Sequence, residues 1–451
     1  MKRKILLLTI LLISSQVSAT VYYIPDDFNT VQEGIDATID GDTVLVYSGI
    51  WDDSINFNGK SILISSINGP YFTELYWVYF SGSEDSLAIL QGFKLKRILF
   101  PQAGGSPKII ANEISYNYDG ITIYAENSSP IFLENIIRDN LGSWDPDMTI
   151  YAGSGSIFRG NILLNNRVMA DVDMFTLCGG IYGYSVVVSY NLFVRNRATP
   201  GWAGALYLNG VVEVENNTIT LSESGSELGG GWTVCLSARN ESIIRNNIIY
   251  GSIYSGGLGF DGNLDSITCG YNLFFENDRG DHNANYLPQE GDLFEDPLFV
   301  DPENRDYYLQ EDSPCIDAGD PDSPLDPDST RADIGCYYYH HITDVFEPDS
   351  SNSPHKFYLE QNYPNPFNGQ TIISYYLSKD SEVELNIINM RGELVAKPVN
   401  SHQTVGNHSL IWQGNLTDGT SVATGIYFYE LKVSNPHNAR SREVKAMILV
   451  K

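Results

Sequence analysis

The chain has 451 residues, 12% of them aromatic and 18% charged, with five cysteines and a formal net charge of −29. So acidic a chain is a poor partner for nucleic acid or an anionic membrane surface, since both repel it. At ~150 residues per domain the length argues for more than one unit. The charge divides accordingly: residues 20–355 hold 15 Lys+Arg against 48 Asp+Glu, and residues 356–451 hold 9 against 8.

The first element is a targeting segment. Lys2, Arg3 and Lys4 precede an apolar run from Ile5 to Ile13, then Val17-Ser18-Ala19. A basic start, a short apolar stretch and small residues at the end predict a secretory signal cut after Ala19. No Cys follows that position, which argues against a lipoprotein anchor, and no later run reaches the ~18 apolar residues of a membrane span. The expected destination is outside the inner membrane.

A short helix comes next. Thr30-x-x-Glu33 forms a capping box, and Val31, Ile35 and Ile39 fall on one helical face. Such a helix would cover the open apolar end of a stack of coils. From DTVLVYSG onward the pattern alternates with period two, as strands do.

Between residues 112 and 277 one short phrase recurs: NEISYN from Asn112, NIIRDN from Asn135, NILLNN from Asn161, NLFVRN from Asn191, NTITLS from Asn217, NIIYGS from Asn247 and NLFFEN from Asn272. The steps are 23, 26, 30, 26, 30 and 25 residues. Short strands repeating at that period predict a parallel β solenoid. Each coil lies ~4.8 Å from the next, so equivalent residues stack. Ile, Leu and Phe then form an internal column that no coil could bury alone. Asn112, Asn135, Asn161, Asn191, Asn217, Asn247 and Asn272 form one column of corner asparagines, tolerant of left-handed backbone and able to hydrogen-bond from coil to coil. Asn117, Asn140, Asn166, Asn196 and Asn277 form a partial second one.

The repeats lengthen at one phase, at 141–150, 167–178, 197–203 and 222–232. Insertions at one phase stand side by side, often on the binding side of a solenoid. Trp202 and Trp232 each lie 15 residues before their repeat Asn, and Trp144 lies 17 before. These indoles are the candidate platform for sugar rings, against the alternative of flank packing. Arg167 and Arg197 each sit six residues after a repeat Asn, so they stack on adjacent coils. They suit a sugar carboxylate or sulfate, or a neighbouring Asp. Arg167, Arg197, Asp171 and Asp173 are the catalytic candidates, and Asp171 with Asp173 offers oxygens to Ca²⁺.

Five cysteines leave one over in an exported chain. Cys315 and Cys336 flank one loop and are a candidate pair. Cys178 and Cys235 fall two coils apart, ~9–10 Å, too far to bridge, and read as small buried apolar residues. DAGDPDSPLDPDSTRAD gathers closely spaced carboxylates, of which Asp320, Asp322, Asp326 and Asp328 are the metal candidates, with Ca²⁺ the ion they suit. The segment lacks EF-hand spacing and reads equally as a structural cap.

After the polar stretch HITDVFEPDSSNSPHK, residues 341–356, come short alternating strands: YYLSK, VELNIIN, HSLIWQG, GIYFYELKV and VKAMILV. They predict a small antiparallel sandwich of immunoglobulin type.

Two resemblances attach to these segments. IPDDFNTVQEGIDATIDGDTVLVYSGIWDDSINFNGKSILISS, the Asn repeats, and DPLFVDPENRDYYLQEDSPCIDAGD followed by STRADIG are similar to secreted right-handed parallel β-helix proteins of the pectate-lyase-like superfamily, over residues 20–340. FYLEQNYPNPFNGQTIISYYL, GNHSLIWQGNLTDGTSVATGIYFYEL and KAMILVK resemble the C-terminal sorting domain of the type IX secretion system, over residues 357–451. The second resemblance implies the type IX machinery as partner, passage through the periplasm and across a Gram-negative outer membrane, and a final place at the cell surface or outside the cell. The first implies the fold and leaves activity open between binding and catalysis.

His282 is the one His between residues 20 and 339, which argues against a stacked His acid/base site. The paired Asp and Gly-His-Gly patterns of the superfamily's polygalacturonase-type hydrolases are absent. A lyase would need an Arg base, a difficult one at its ordinary pKa, because no Lys occurs between Ile109 and His355. The expectation is an all-β, exported protein that binds polysaccharide or a surface glycan along one solenoid face. The alternative is a lyase or hydrolase of an acidic glycan, a lyase before a hydrolase.

Overall fold

The computed structural model describes residues 19–341 and 357–449, except 53, 68, 71, 102–103, 119, 144–147, 170–175, 200, 227–228, 340, 360–361, 363–366, 368–369, 390–392, 417–418, 423–424 and 436–437. The predicted signal, most of the 341–356 linker, Trp144, Asp171 and Asp173 therefore lie outside the described residues.

The larger part is a parallel β-helix built on three long sheets. The first has 11 strands, from Val21–Ile24 to Thr268–Gly270; the second has 10, from Gly49–Trp51 to Leu273–Phe275; the third has nine, from Ile55–Asn56 to Gly256–Asp261. Each coil visits the first, second and third sheets in turn. Inward residues stack in columns: Ile109, Phe132, Phe158, Val188 and Val214 on the first sheet, Ile114, Ile137, Leu163, Phe193 and Ile219 on the second, Ile123, Ile150, Ile181, Leu206 and Val234 on the third. All are buried. Phe132 and Phe158 lie flat on one another, centroids 4.8 Å apart.

The corner between the first and second sheets explains the repeated Asn. In a continuous ladder from Asn112 to Asn272, each side-chain N–H donates to the next Asn Oδ1 at 2.9–3.2 Å. Each Oδ1 also accepts the backbone N–H of the preceding ladder Asn, as Asn191 Oδ1 does from Asn161 at 2.9 Å. The second proton of the amide reaches backward, as Asn191 does to the Phe158 carbonyl at 2.9 Å. Left-handed backbone belongs to the residue before each ladder Asn rather than to the Asn itself: Ala111, Glu134, Gly160, Tyr190, Asn216, Asn246 and Tyr271 have φ of 51–67°. That residue makes the bend, and the next amide turns inward to satisfy the corner's polar backbone, which would otherwise be buried without partners. The second column runs Asn117, Asn140, Asn166 and Asn196. Ser222 and Ser252 take the next two corners, and Ser252 meets Asn277.

Both ends are covered. The predicted helix spans Val31–Ala37 with the Thr30/Glu33 capping box formed. Val31 and Ile35 are buried, but the helix stops before Ile39, which is 52% exposed. At the far end Asp292 accepts the N–H of Asn272, the last of the ladder, at 2.9 Å. Tyr286, fully buried against Phe260 and Phe274, donates to the same carboxylate.

The acidic closing segment lies along the side of the solenoid. The hairpin of Phe299–Asp301 and Asp306–Leu309, with Cys315, Ile334 and Cys336, packs outside the second sheet on Ile162, Leu164, Leu192, Val194, Ile248 and Leu273. Cys315 and Cys336 are buried free thiols.

The C-terminal part is a β-sandwich. A sheet of Phe357–Leu359, Thr371–Leu377 and Gly406–Trp412 and another of Leu394–Gln403, Ser381–Asn389, Gly425–Asn435 and Asn438–Leu449 are antiparallel throughout. Leu359, Ile373, Leu377, Leu385, Ile387, Tyr429, Leu431 and Met447 fill the space between them.

Candidate ligand-binding face

The lengthened repeats fold into a fin. After the second corner the chain forms an extra parallel sheet of Leu141–Ser143, Arg167–Met169, Arg197–Thr199 and Glu223–Ser226, closed by the short strand Gly229–Gly230. It then returns through long third-sheet strands, Thr176–Tyr184, Gly201–Gly210 and Trp232–Ala238. The outgoing and returning strands lie almost in contact. A Cβ on Gly179 would sit 2.6 Å from the Arg197 backbone, and one on Gly204 2.9 Å from Glu223. Val168, Cys178, Ala198 and Ala203, all fully buried, fill the narrow interior. The insertions thus make a packed ridge with two outer surfaces.

The predicted residues divide between those surfaces. Arg167, Arg197 and Glu223 are paired in register on the fourth sheet. Alternation with buried Val168 and Ala198 turns the arginines away from the fin interior. Trp202, 52% exposed, and half-buried Trp232 belong to the third sheet. One concavity holding both tryptophans and arginines, as their common phase suggested, is not what these sheets build.

The two indoles are also out of step. Trp232 pairs with Ala203, so Trp202 is one residue removed. One extra residue bulges between Ala203 and Leu206, and the following turn is two residues longer in the next coil. Equal counts of 15 to the ladder Asn therefore conceal unequal paths. Trp232 lies across Gly256 and Gly259 of the next coil, where a Cβ would come within 2.2 and 2.4 Å of its ring.

A better-ordered aromatic row stands on the outer face of the third sheet. Tyr124, Tyr151, Tyr182 and Tyr207 pair in strict register on four successive coils. Their ring centroids are 5.6, 5.1 and 5.5 Å apart. All four are half-buried. The column continues through Cys235 to Gly259, under the indole of Trp232. Tyr124, Tyr151, Tyr182, Tyr207 and Trp232 thus follow one line over about five coil steps, ~24 Å at ~4.8 Å per step. Glu126 accepts hydrogen bonds from the hydroxyls of Tyr124 and, at 3.2 Å, Tyr151. Burial, then the nearby Glu126 charge, pushes the Tyr151 hydroxyl up to about 12. For Tyr124 the Glu126 hydrogen bond is the main cause of an upward shift. These phenols stay protonated at neutral pH and act as donors and apolar faces rather than bases.

The tyrosines had a signal in the sequence: ITIYAEN, MTIYAGSG, GGIYGYS and GALYLNG each place Tyr after an inward Ile or Leu. Their distances to the next ladder Asn are 11, 10, 9 and 10 residues, and that drift blurs the phase.

Three of the four proposed metal carboxylates, Asp320, Asp326 and Asp328, are occupied by the chain itself. Asp320 takes Arg245 at 2.7 Å and the Asp322 N–H at 2.9 Å. Asp326 accepts the Asp333 N–H at 2.8 Å. Asp328 accepts Thr330 and, at 3.0 Å, the His341 N–H. Among the described residues no group of three or more His, Cys, Asp or Glu is arranged to hold a metal ion. These oxygens fasten a loop and do not fit a Ca²⁺ cage. Burial, followed by the charge of Asp333, raises Asp326 to about 7, and burial raises Asp333 to about 6.

Residues 361–444 match the secretion system C-terminal sorting domain family. The C-terminal sandwich is therefore a sorting domain, and it marks the chain for type IX export to the cell surface or the extracellular space. No curated protein matches the chain. Among solved structures, that of dimeric latent PorU from Porphyromonas gingivalis overlaps 21% of this chain and 9% of that one, at 20% identity and a TM-score of 0.19. So short and distant an overlap carries no argument about shape or activity. No helix among the described residues is long and apolar enough to cross a membrane.

Proposed function

We propose that the exported β-helix binds polysaccharide along the outer face of its third sheet, with Tyr124, Tyr151, Tyr182, Tyr207 and Trp232 as the platform and Trp202 beside it. The carrying observation is the four-coil tyrosine row, half-exposed and in register. An aromatic row at fixed spacing offers successive sugar rings apolar faces, while phenol hydroxyls and Glu126 supply polar contacts at its edge. Stacking of bases on aromatic side chains contributes ~1–3 kcal/mol each, an analogy for what a sugar ring would gain. An exposed Trp beside such a row is an expected feature of a binding face.

Retardation of the full chain in gels containing single polysaccharides tests the reading. Tyr182→Ala with Tyr207→Ala should weaken retardation in the retarding polymer by about tenfold or more, equivalent to ~1.4 kcal/mol. Unchanged retardation in the double variant would exclude this face. The export half is separable: a chain lacking 361–444 should remain in the periplasm of a host with the type IX machinery, and normal amounts outside the cell would contradict it.

A further inference from the structure

We infer that Arg167 and Arg197 form an oxyanion-binding site on the outer surface of the fin, one that takes a sulfate ester or carboxylate of a glycan chain. This stands apart from the aromatic face, because the two surfaces lie on different sheets.

Arg167 and Arg197 are direct partners in adjacent parallel strands, with Leu141 before them and Glu223 after. Two guanidinium groups thus stand one coil apart, ~4.8 Å at the backbone. Such an arrangement repels unless carboxylates alternate with it. One does: Glu223 meets Arg197 Nη2 at 2.8 Å, and Thr199 Oγ1 accepts from Arg197 Nε at 2.8 Å. Arg167 has no ion pair among the described residues, and its Nε is buried without an acceptor. In a chain of net charge −29, elsewhere on the solenoid two arginines are each held by two carboxylates: Arg138 by Glu113 and Asp139, Arg245 by Glu215 and Asp320. Among the described residues, the fin row instead sets two cations against one anion. A buried, unmet guanidinium donor is costly. Two oxygens of a carboxylate, or two terminal oxygens of a sulfate ester, seated on Arg167 would supply bidentate acceptors for its guanidinium, with Arg197 at its flank. Glu223 is then the internal competitor for Arg197.

Affinity electrophoresis of the full chain in dextran sulfate, polygalacturonate and neutral dextran tests this. Retardation by a charged polymer is expected, with Arg167→Gln weakening it roughly tenfold while leaving the thermal midpoint in place. Glu223→Gln should strengthen it severalfold, a gain that a purely structural pair would not give. Retardation by dextran sulfate alone assigns the site to sulfate esters, and by polygalacturonate alone to uronates. No retardation by either, or equal retardation of wild type and Arg167→Gln, overturns the inference. Should Arg167→Gln fail to fold, Glu223→Gln decides, and an unchanged affinity is again negative. Tyr182→Ala should leave the charged-polymer effect of Arg167 intact, so failure of the aromatic face and failure of this site are read separately.

Discussion

Two columns of side chains run along this solenoid at one coil spacing, and they are used in opposite ways. The asparagines from Asn112 to Asn272 are buried, and their amides connect coil to coil and to the backbone of the coil before. The tyrosines from Tyr124 to Tyr207 are on the outside, with Glu126 holding the first two hydroxyls. Among the described residues, the hydroxyls of Tyr182 and Tyr207 donate to no protein group. Saturated repetition gives stability. Unsaturated repetition leaves a regular surface with capacity for a regular ligand.

That contrast breaks if the columns respond alike to truncation. Asn191→Ala would strand the Asn161 N–H and an Asn161 amide proton together. A loss of about 3 kcal/mol or more is expected, read from the denaturant midpoint. Tyr182→Ala, half-exposed and without a hydrogen-bond partner to strand, should cost only about 1 kcal/mol.

The indoles sharpen the same division. Trp232 packs on Gly256 and Gly259, so Trp232→Ala should cost about 2 kcal/mol as well as affinity. Trp202→Ala should cost under about 0.5 kcal/mol and act on affinity alone. Equal thermal shifts for the two would show that their different settings do not matter.

A smaller effect separates the solenoid from its acidic side cover. Unfolded Asp326 ionises near 3.8, whereas in the fold burial and Asp333 hold its proton up to about 7. Between those values the folded state binds more protons, so stability falls as pH rises through that window. The full chain should therefore melt a few degrees higher near pH 5 than near pH 8, a difference of roughly 1–2 kcal/mol. In Asp326→Asn that slope should flatten, with the remainder due to Asp333. A melting point that rises from pH 5 to pH 8 would contradict the cause assigned.

Much of the fold was legible because the phrase around each ladder Asn has constant length. From Asn161 to Leu164, and from Asn191 to Val194, nothing is inserted between corner and strand, so equal offsets mean equal positions. The same logic failed for Trp202 and Trp232, because a bulge and a longer turn intervene on the way to the ladder. The stacking of Arg167 on Arg197 was readable, since only the second Asn corner separates them from the phrase. Their separation from the indoles was not. It depends on glycines 179 and 204 letting two strands close into a fin, a contact between neighbouring coils that no single-coil pattern records. The acidic loop misled for a related reason: carboxylate spacing suits Ca²⁺, but whether backbone N–H groups already occupy the oxygens depends on the folded turn.

Hydroxyl-radical footprinting of the full chain, with and without a polysaccharide that retards it, tests the binding face most directly. Tyr124, Tyr151, Tyr182, Tyr207 and Trp202 should be protected together, while Tyr23 on the first sheet and Tyr47 just past its strand Thr43–Val46, 38% and 37% exposed, keep their reactivity. Protection centred on the first sheet, with the Tyr124–Tyr207 row still reactive, would contradict the assignment of the ligand to the third.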